Sequence, residues 1–199
     1  MVLQIHQKKA VDSFMTVHGL FLLGAAIAFI LALSGCGARN FDAIKSGLEA
    51  RGHYIEGVPF VKQTEYDCGP AALAAVLSFR GKAVDLERIT ASVYLPRLRG
   101  TLPMDLERYA KDEGFKTSST AGTTTALKTA IVSNIPVICL LDLGFGFYRQ
   151  PHFVTVIGFD DGNGLFIMHD GATPNRTMTY KDFENNWKRA GKWMIVITP

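Results

Sequence analysis

Residues 63–73 read QTEYDCGPAAL: a polar approach, one cysteine, and then small and apolar residues that continue to Phe79 as GPAALAAVLSF. The second half is apolar almost all round, the pattern of a buried helix, and Gly81 supplies its stop. Cys68 therefore stands where an extended polar segment meets a helix N-terminus. Unpaired N–H groups and the positive end of the helix dipole favour the thiolate there, so the position predicts a lowered thiol pKa and a nucleophile. Gly69 leaves one flank of the sulfur open, and Pro70 is tolerated in a first turn whose N–H groups lack intrahelical partners. Gln63, five residues upstream, can aim its amide at the oxygen of a carbonyl under attack and form an oxyanion hole with the Cys68 N–H. The alternative, a small buried hydrophobe at a helix start, fits poorly with Gln63, Glu65 and Asp67 on the approach. Cys139, inside Val137-Ile138-Cys139-Leu140-Leu141, has the opposite surroundings and reads as an inert core residue.

Working outward, residues 41–134 read mainly as helices. Residues 41–50 form a short amphipathic helix or tether, followed by a turn-rich Arg51-Gly52-His53 and an extended stretch around Val58-Pro59-Phe60. Asp85 caps a helix with Leu86, Ile89 and Val93 on one face, and Pro103 opens another that Gly114 ends. Thr124 or Thr125 caps a further helix carrying Leu127, Ala130 and Ile131. From Pro136 onward, short apolar or β-branched runs are separated by Gly, Asn and Asp: residues 136–142, 152–159, 165–169, 176–180 and 193–198 read as strands. Residues 181–189 interrupt them as a surface helix with Phe183 and Trp187 inward. Helices followed by an antiparallel sheet in one core make the fold class α+β.

A cysteine nucleophile needs an imidazole to take and return protons. Of the five histidines, His152 opens a strand directly after the Gly/aromatic stretch of residues 144–151, whose Phe145, Phe147 and Tyr148 suit a cleft wall. His169 ends the next strand and is followed by Asp170. A three-residue loop, Asp161-Gly162-Asn163, pairs Val154 with Asp170 and sets positions 152 and 170 diagonally on one face. Asp170 is then the orienting carboxylate, with His169 in reserve: a loop shorter or longer by one shifts the register and presents His169 instead, and a bulge breaks the parity. Asp160 lies roughly 26 Å from His152 along an extended strand and is too far.

The chain has 199 residues, 48% apolar and 20% charged, with a formal charge of +3 and three cysteines. That charge, with no basic run beyond Lys8-Lys9, gives no reason to expect nucleic acid as a partner. Three cysteines make no disulfide framework, and no motif implies a metal or cofactor. Residues 13–38 hold no Asp, Glu, Lys or Arg, and residues 20–33 (LFLLGAAIAFILAL) are unbroken apolar sequence. As a helix this run spans roughly 21 Å, short of a ~30 Å hydrocarbon core, and reads as a signal-peptide h-region. The following Leu33-Ser34-Gly35-Cys36 resembles the lipobox of bacterial lipoproteins, in which the cysteine is diacylated and becomes the mature N-terminus. The resemblance implies a signal peptide over 1–35, lipidation of Cys36, a lipidated tether over 36–56 and a domain over 57–199. Because Gly37 is not an Asp, it also implies the outer membrane, facing the periplasm. The other reading of the segment is an uncleaved anchor helix.

Gln-x4-Cys-Gly-Pro-Ala-Ala-Leu, then His-Phe-Val-Thr-Val-Ile-Gly-Phe-Asp, then His-Asp-Gly together resemble the papain-like peptidases that cut bacteriocin leaders after a double glycine. The likeness covers about residues 57–199, including Asn134-Ile-Pro-Val-Ile and the closing Phe183-x3-Trp187. It implies a papain-like fold and a Cys-His-Asp triad acting through a thioester, with Gln63 at the oxyanion hole, Cys68 the nucleophile, His152 the general base and acid, and Asp170 its orienting group. Leader-cutting members usually carry transmembrane helices and an ATP-binding domain. This chain has no G-x-x-x-x-G-K-[ST] loop, so it looks more like the free-standing lipoprotein members. Two other classes stay open: a papain-like cell-wall endopeptidase or acyl transferase, although those carry Asp-Cys-Ser-Gly, and an inactive peptide-binding lipoprotein.

Overall fold

Apolar residues alternate along β5 (Val137–Asp142), and each set finds a different core. Val137, Cys139 and Leu141 join one buried cluster, while Ile138 joins a second. A strand covered on both faces must sit in the middle of its sheet, and β5 does. In the computed structural model, which describes residues 41–64 and 66–199, β5 is flanked by β6 (Pro151–Asp160) and β9 (Trp193–Thr198). The expected signal peptide, Cys36 and Glu65 lie outside the described residues.

The sheet has seven strands, all its pairings antiparallel, in the order β4 (Lys116–Ala121), β9, β5, β6, β7 (Leu165–His169), β8 (Arg176–Thr179). β6 is forked: its first half pairs with β5, and residues 158–160 pair with β1 (Gly52–Tyr54). One face carries α3 (Cys68–Phe79), α4 (Leu86–Val93) and α5 (Pro103–Asp112), whose Leu73, Leu77, Ile89 and Leu106 pack on Ile138, Phe153, Ile195 and Ile197. A small ribbon, β2 (Tyr94–Leu95) with β3 (Gly100–Thr101), lies between α4 and α5 in the chain. On the other face, α6 (Thr124–Val132) contributes Leu127 and Ile131, and α7 (Tyr180–Arg189) contributes Phe183 and Trp187, all fully buried. Each side chain of that kind adds roughly 1.5–3 kcal/mol. The Trp187 indole N–H donates to the Trp193 carbonyl at 2.8 Å, so its one polar atom is satisfied.

The caps largely follow the sequence. Asp85 accepts from the Glu87 N–H at 2.9 Å at the start of α4, and Pro103 opens α5. The cap of α6 is Thr123, one residue before the expected pair, its hydroxyl accepting from the Ala126 N–H. Four strands appear where helices or turns were expected: β1, the two strands of the β2–β3 ribbon, and β4. The stretch 41–50, read as a short amphipathic helix or tether, folds as α1 (Phe41–Lys45) and α2 (Leu48–Arg51), which bury Phe41, Ile44 and Leu48 in the same cluster as Val154. Among the described residues no helix is long and apolar enough to cross a membrane.

Candidate active site

Cys68 is the first residue of α3, and the cap before it is open. The Asp67 carboxylate accepts the Thr64 hydroxyl and caps no helix N–H, so the first N–H groups of α3 remain free to face the thiol. The sulfur receives main-chain N–H groups of Phe153, Gly69 and Cys68 itself. These favour the thiolate, as the sequence predicts, but they do not win. Burial pushes the Cys68 thiol above its ordinary value, and nearby Asp67 adds to the effect. The expected lowered pKa is therefore corrected: β6 and α3 together desolvate the sulfur, and it rests as a thiol. Phe153 N–H, one residue from His152, ties this helix start to the sheet.

The β6–β7 hairpin reaches the expected register by an unexpected route. Its loop has four residues, because Asp160 pairs with Leu165, and this alone would shift every partner by one. A bulge between Val156 and Gly158 shifts them back, so Thr155 pairs with His169 and position 170 follows beside Val154. His152 Nε2 then lies 2.8 Å from the main-chain oxygen of Asp170. A carbonyl only accepts, so Nε2 carries the proton and a neutral ring keeps its lone pair on Nδ1. Burial lowers the His152 pKa, and the neutral imidazole is the form able to take a proton.

The Asp170 carboxylate is engaged elsewhere. Its Oδ1 accepts the Ala172 and Thr173 N–H groups at 3.0 and 2.6 Å, and its Oδ2 accepts Arg176 Nη1 at 2.6 Å. Asp170 thus meets the histidine through its backbone rather than through its carboxylate. Burial would raise this carboxyl, but Arg176 and the two N–H groups outweigh it and hold the pKa below the ordinary range. His169, the reserve, is occupied on both sides: Nδ1 accepts the Asn175 N–H and Nε2 donates to Val58 O, both at 3.1 Å. It staples the 170–175 turn to the segment before the nucleophile.

Gln63 donates its main-chain N–H to Gly171 O at 2.9 Å, and its side chain lies over Gly171. Gly171 has φ +78°, and a Cβ there would stand 2.3 Å from Gln63 Oε1. That oxygen is buried without a partner. Gln63, Cys68, His152 and Asp170 all line one cleft of about 730 Å³. One wall is the β2–β3 ribbon with Leu98 and Leu102, and the other is the stretch after β5, including Tyr148 and Arg149.

That second wall is clamped at its root. Buried Asp142 accepts the Gly144 and Gln150 N–H groups at 3.0 and 2.9 Å and Arg149 Nη1 at 2.5 Å, while Arg189 donates to the carbonyls of Asp142 and Gly144. Burial works against ionisation of Asp142, yet these donors bring its pKa down to about 2. Beyond the clamp Phe145 and Phe147 are 91% and 107% exposed. Phe153, Asp142, Arg149, Arg176 and Arg189 are site residues that sequence reasoning missed. Only Asp142, a carboxylate ending an apolar strand, left a signal. Cys139 is fully buried as expected, its thiol driven far above the ordinary range by desolvation. Among the described residues no cluster of three metal-ligating side chains occurs.

The Peptidase C39-like family model matches residues 55–195. Among curated proteins nothing matches. Among solved structures, the peptidase domain of Streptococcus ComA, a bi-functional ABC transporter involved in quorum sensing, is similar at 22% identity and TM-score 0.57, covering 71% of this chain and 98% of its own. A protein described as a C39-like peptidase from Bacillus anthracis aligns at 16% identity and TM-score 0.62, over 74% and 98%. A double glycine motif protease from an AMS/PCAT transporter, in complex with the leader peptide, aligns at 21% and 0.60, over 74% and 94%.

Proposed function

The chain belongs to the Peptidase C39-like family of cysteine peptidases, and from that premise we propose that it hydrolyses peptide bonds through Cys68, His152, Asp170 and Gln63. The observation that carries this reading is the 2.8 Å contact between His152 Nε2 and the Asp170 carbonyl. With Nε2–H held by Asp170 O, the basic Nδ1 is left for the thiol that lines the same cleft.

A scissile carbonyl bound beside Cys68 gains the new S–C bond as the thiol proton passes to Nδ1. The oxyanion is met by the Cys68 N–H and the Gln63 amide. As the tetrahedral adduct collapses, the C–N bond breaks, the imidazolium returns its proton to the leaving amine, and a thioester remains. Water then attacks with His152 as base and restores the thiol. No metal or cofactor enters these steps. The substrate is a peptide or protein segment, a reading supported by the leader peptide bound to the AMS/PCAT neighbour and by a cleft with apolar Leu98, Leu102 and Tyr148 on its walls.

The test is cleavage of unstructured polypeptides by the full chain, with mass spectrometry of the trapped acyl-enzyme. Cys68→Ala and His152→Ala are each expected to lower turnover by at least about 10³-fold, and the acyl group should map to Cys68. Retained cleavage by folded Cys68→Ala would overturn the assignment.

Anchoring belongs to the same proposal. Leu33-Ser34-Gly35-Cys36 after an apolar run supports removal of residues 1–35, lipidation of Cys36 and an outer-membrane location facing the periplasm. Each buried methylene of such an anchor contributes about 0.8 kcal/mol. Metabolic labelling with a fatty acid should tag the chain, and Cys36→Ser should abolish the label and move the protein to the soluble fraction. A labelled Cys36→Ser chain would sink the lipid anchor.

A further inference from the structure

The turn between β7 and β8 is held far more tightly than an exposed connection requires. Asp170 Oδ1 accepts two of its N–H groups, Gly171 O accepts the Gln63 N–H, and His169 Nδ1 accepts the Asn175 N–H. The remaining carboxylate oxygen, Oδ2, is taken by Arg176, whose side chain is 47% exposed and lines the cleft. The only part of Asp170 that holds His152 is its main-chain oxygen. We propose that Arg176 is a positioning residue: by gripping the Asp170 carboxylate it fixes the carbonyl that orients His152, and it cancels that carboxylate's charge at the imidazole.

This rests on His152 as the base of the proposed peptidase and adds a residue that no motif marks. Asp170 favours the protonated imidazole and Arg176 opposes it, so the pair together leaves burial in command of the ring. Among the described residues, the other titratable groups on the cleft are Cys68 on α3, Tyr66, Tyr148, Arg149 bonded to Asp142, and Arg99 bonded to and stacked on Tyr66.

The proposal is tested on the full chain by NMR titration of the His152 ring, alongside the rate at which iodoacetamide alkylates Cys68. Arg176→Gln uncovers the carboxylate and should move the His152 midpoint up by about one pH unit. Asp170→Asn leaves the guanidinium unopposed and should move it down. The double variant should return toward wild type, and Arg176→Lys should keep most of the wild-type midpoint. A packing role alone would not give opposite signs. An unchanged or lowered midpoint in folded Arg176→Gln, or a raised one in Asp170→Asn, would overturn the role of Arg176. If instead the midpoints move as stated while Cys68 alkylation follows the His152 titration in no variant, the Cys68–His152 pairing fails and the role of Arg176 stands.

Discussion

Cys68 and Cys139 show how one side chain takes two chemistries from its surroundings. Both are desolvated, but Cys139 lies in an apolar core cluster, whereas Cys68 also meets three N–H groups and a cleft. In the native protein iodoacetamide is therefore expected to label Cys68 and to spare Cys139 until the chain unfolds, which peptide mapping after a timed pulse reads directly. Because burial raises the Cys68 thiol and His152 is the base for its proton, the labelling rate should climb first as His152 deprotonates and again as the thiol itself ionises at alkaline pH. A rate already flat from pH 5 would mean that a thiolate–imidazolium pair exists before substrate arrives. The polar approach and apolar exit of the sulfur were legible in sequence. Its depth was not, because groups that lie against it, Phe153 among them, come from a strand some eighty residues away. Asp142 is the second case: one carboxylate satisfies two N–H groups and Arg149 at the root of the aromatic wall. Asp142→Ala should cost about 3 kcal/mol in denaturant unfolding, since Arg149 and two amides lose their acceptor, and it should loosen the cleft.

At the scale of elements, the sequence was most legible where periodicity is strong and local. Residues 165–169 and 193–198 are strands as read, and the helix after Cys68 begins at the cysteine itself. β4 was missed because KTSSTA has no apolar face: among the described residues it pairs with β9 alone, and tertiary pairing overrides its weak pattern. β1 is three residues long and gains its strand conformation from β6 alone. The hairpin reached the expected pairing near Asp170 because a fourth loop residue and a bulge shift the register in opposite senses, which no short-range signal reveals. The turn after β7 makes a sharper claim. Gly171→Ala forces a Cβ into the left-handed region and into Gln63, so it should cost about 1–2 kcal/mol of stability through strain. Activity should fall at least tenfold, out of proportion, because the displaced Gln63 amide no longer meets the oxyanion. The check compares thermal unfolding with kcat/KM. Equal activity in the two proteins would remove Gln63 from the site.

Over the whole molecule, the cleft is a seam: the helical face supplies Cys68 and the sheet supplies His152, with α3 lying on β6 through contacts such as the Thr155 hydroxyl on Ala72 O. His152 is half-buried at the cleft and His169 buried under the 170–175 turn, and desolvation lowers the pKa of each. The unfolded chain binds protons on these rings near pH 6.5, while the folded chain binds them only at lower pH. More protons bound in the unfolded state means that stability rises with pH, so it must fall as pH drops from 7 toward 5. Asp142 and Asp170 do not blur this window. Their pKa values are depressed in the fold, so their contribution is complete above the ordinary carboxylate pKa and disappears only as pH falls through about 4 toward 2. Each imidazole that titrates only on unfolding adds at most about 1.4 kcal/mol per pH unit to the slope. His169→Gln can keep an acceptor and a donor for Asn175 and Val58 without titrating, so it should flatten the slope between pH 5 and 7 by the share of one histidine. Urea unfolding at half-unit pH steps measures this. A slope unchanged in His169→Gln would mean that His169 binds its proton as readily in the fold as outside it, and that the turn holding His152 is open to water.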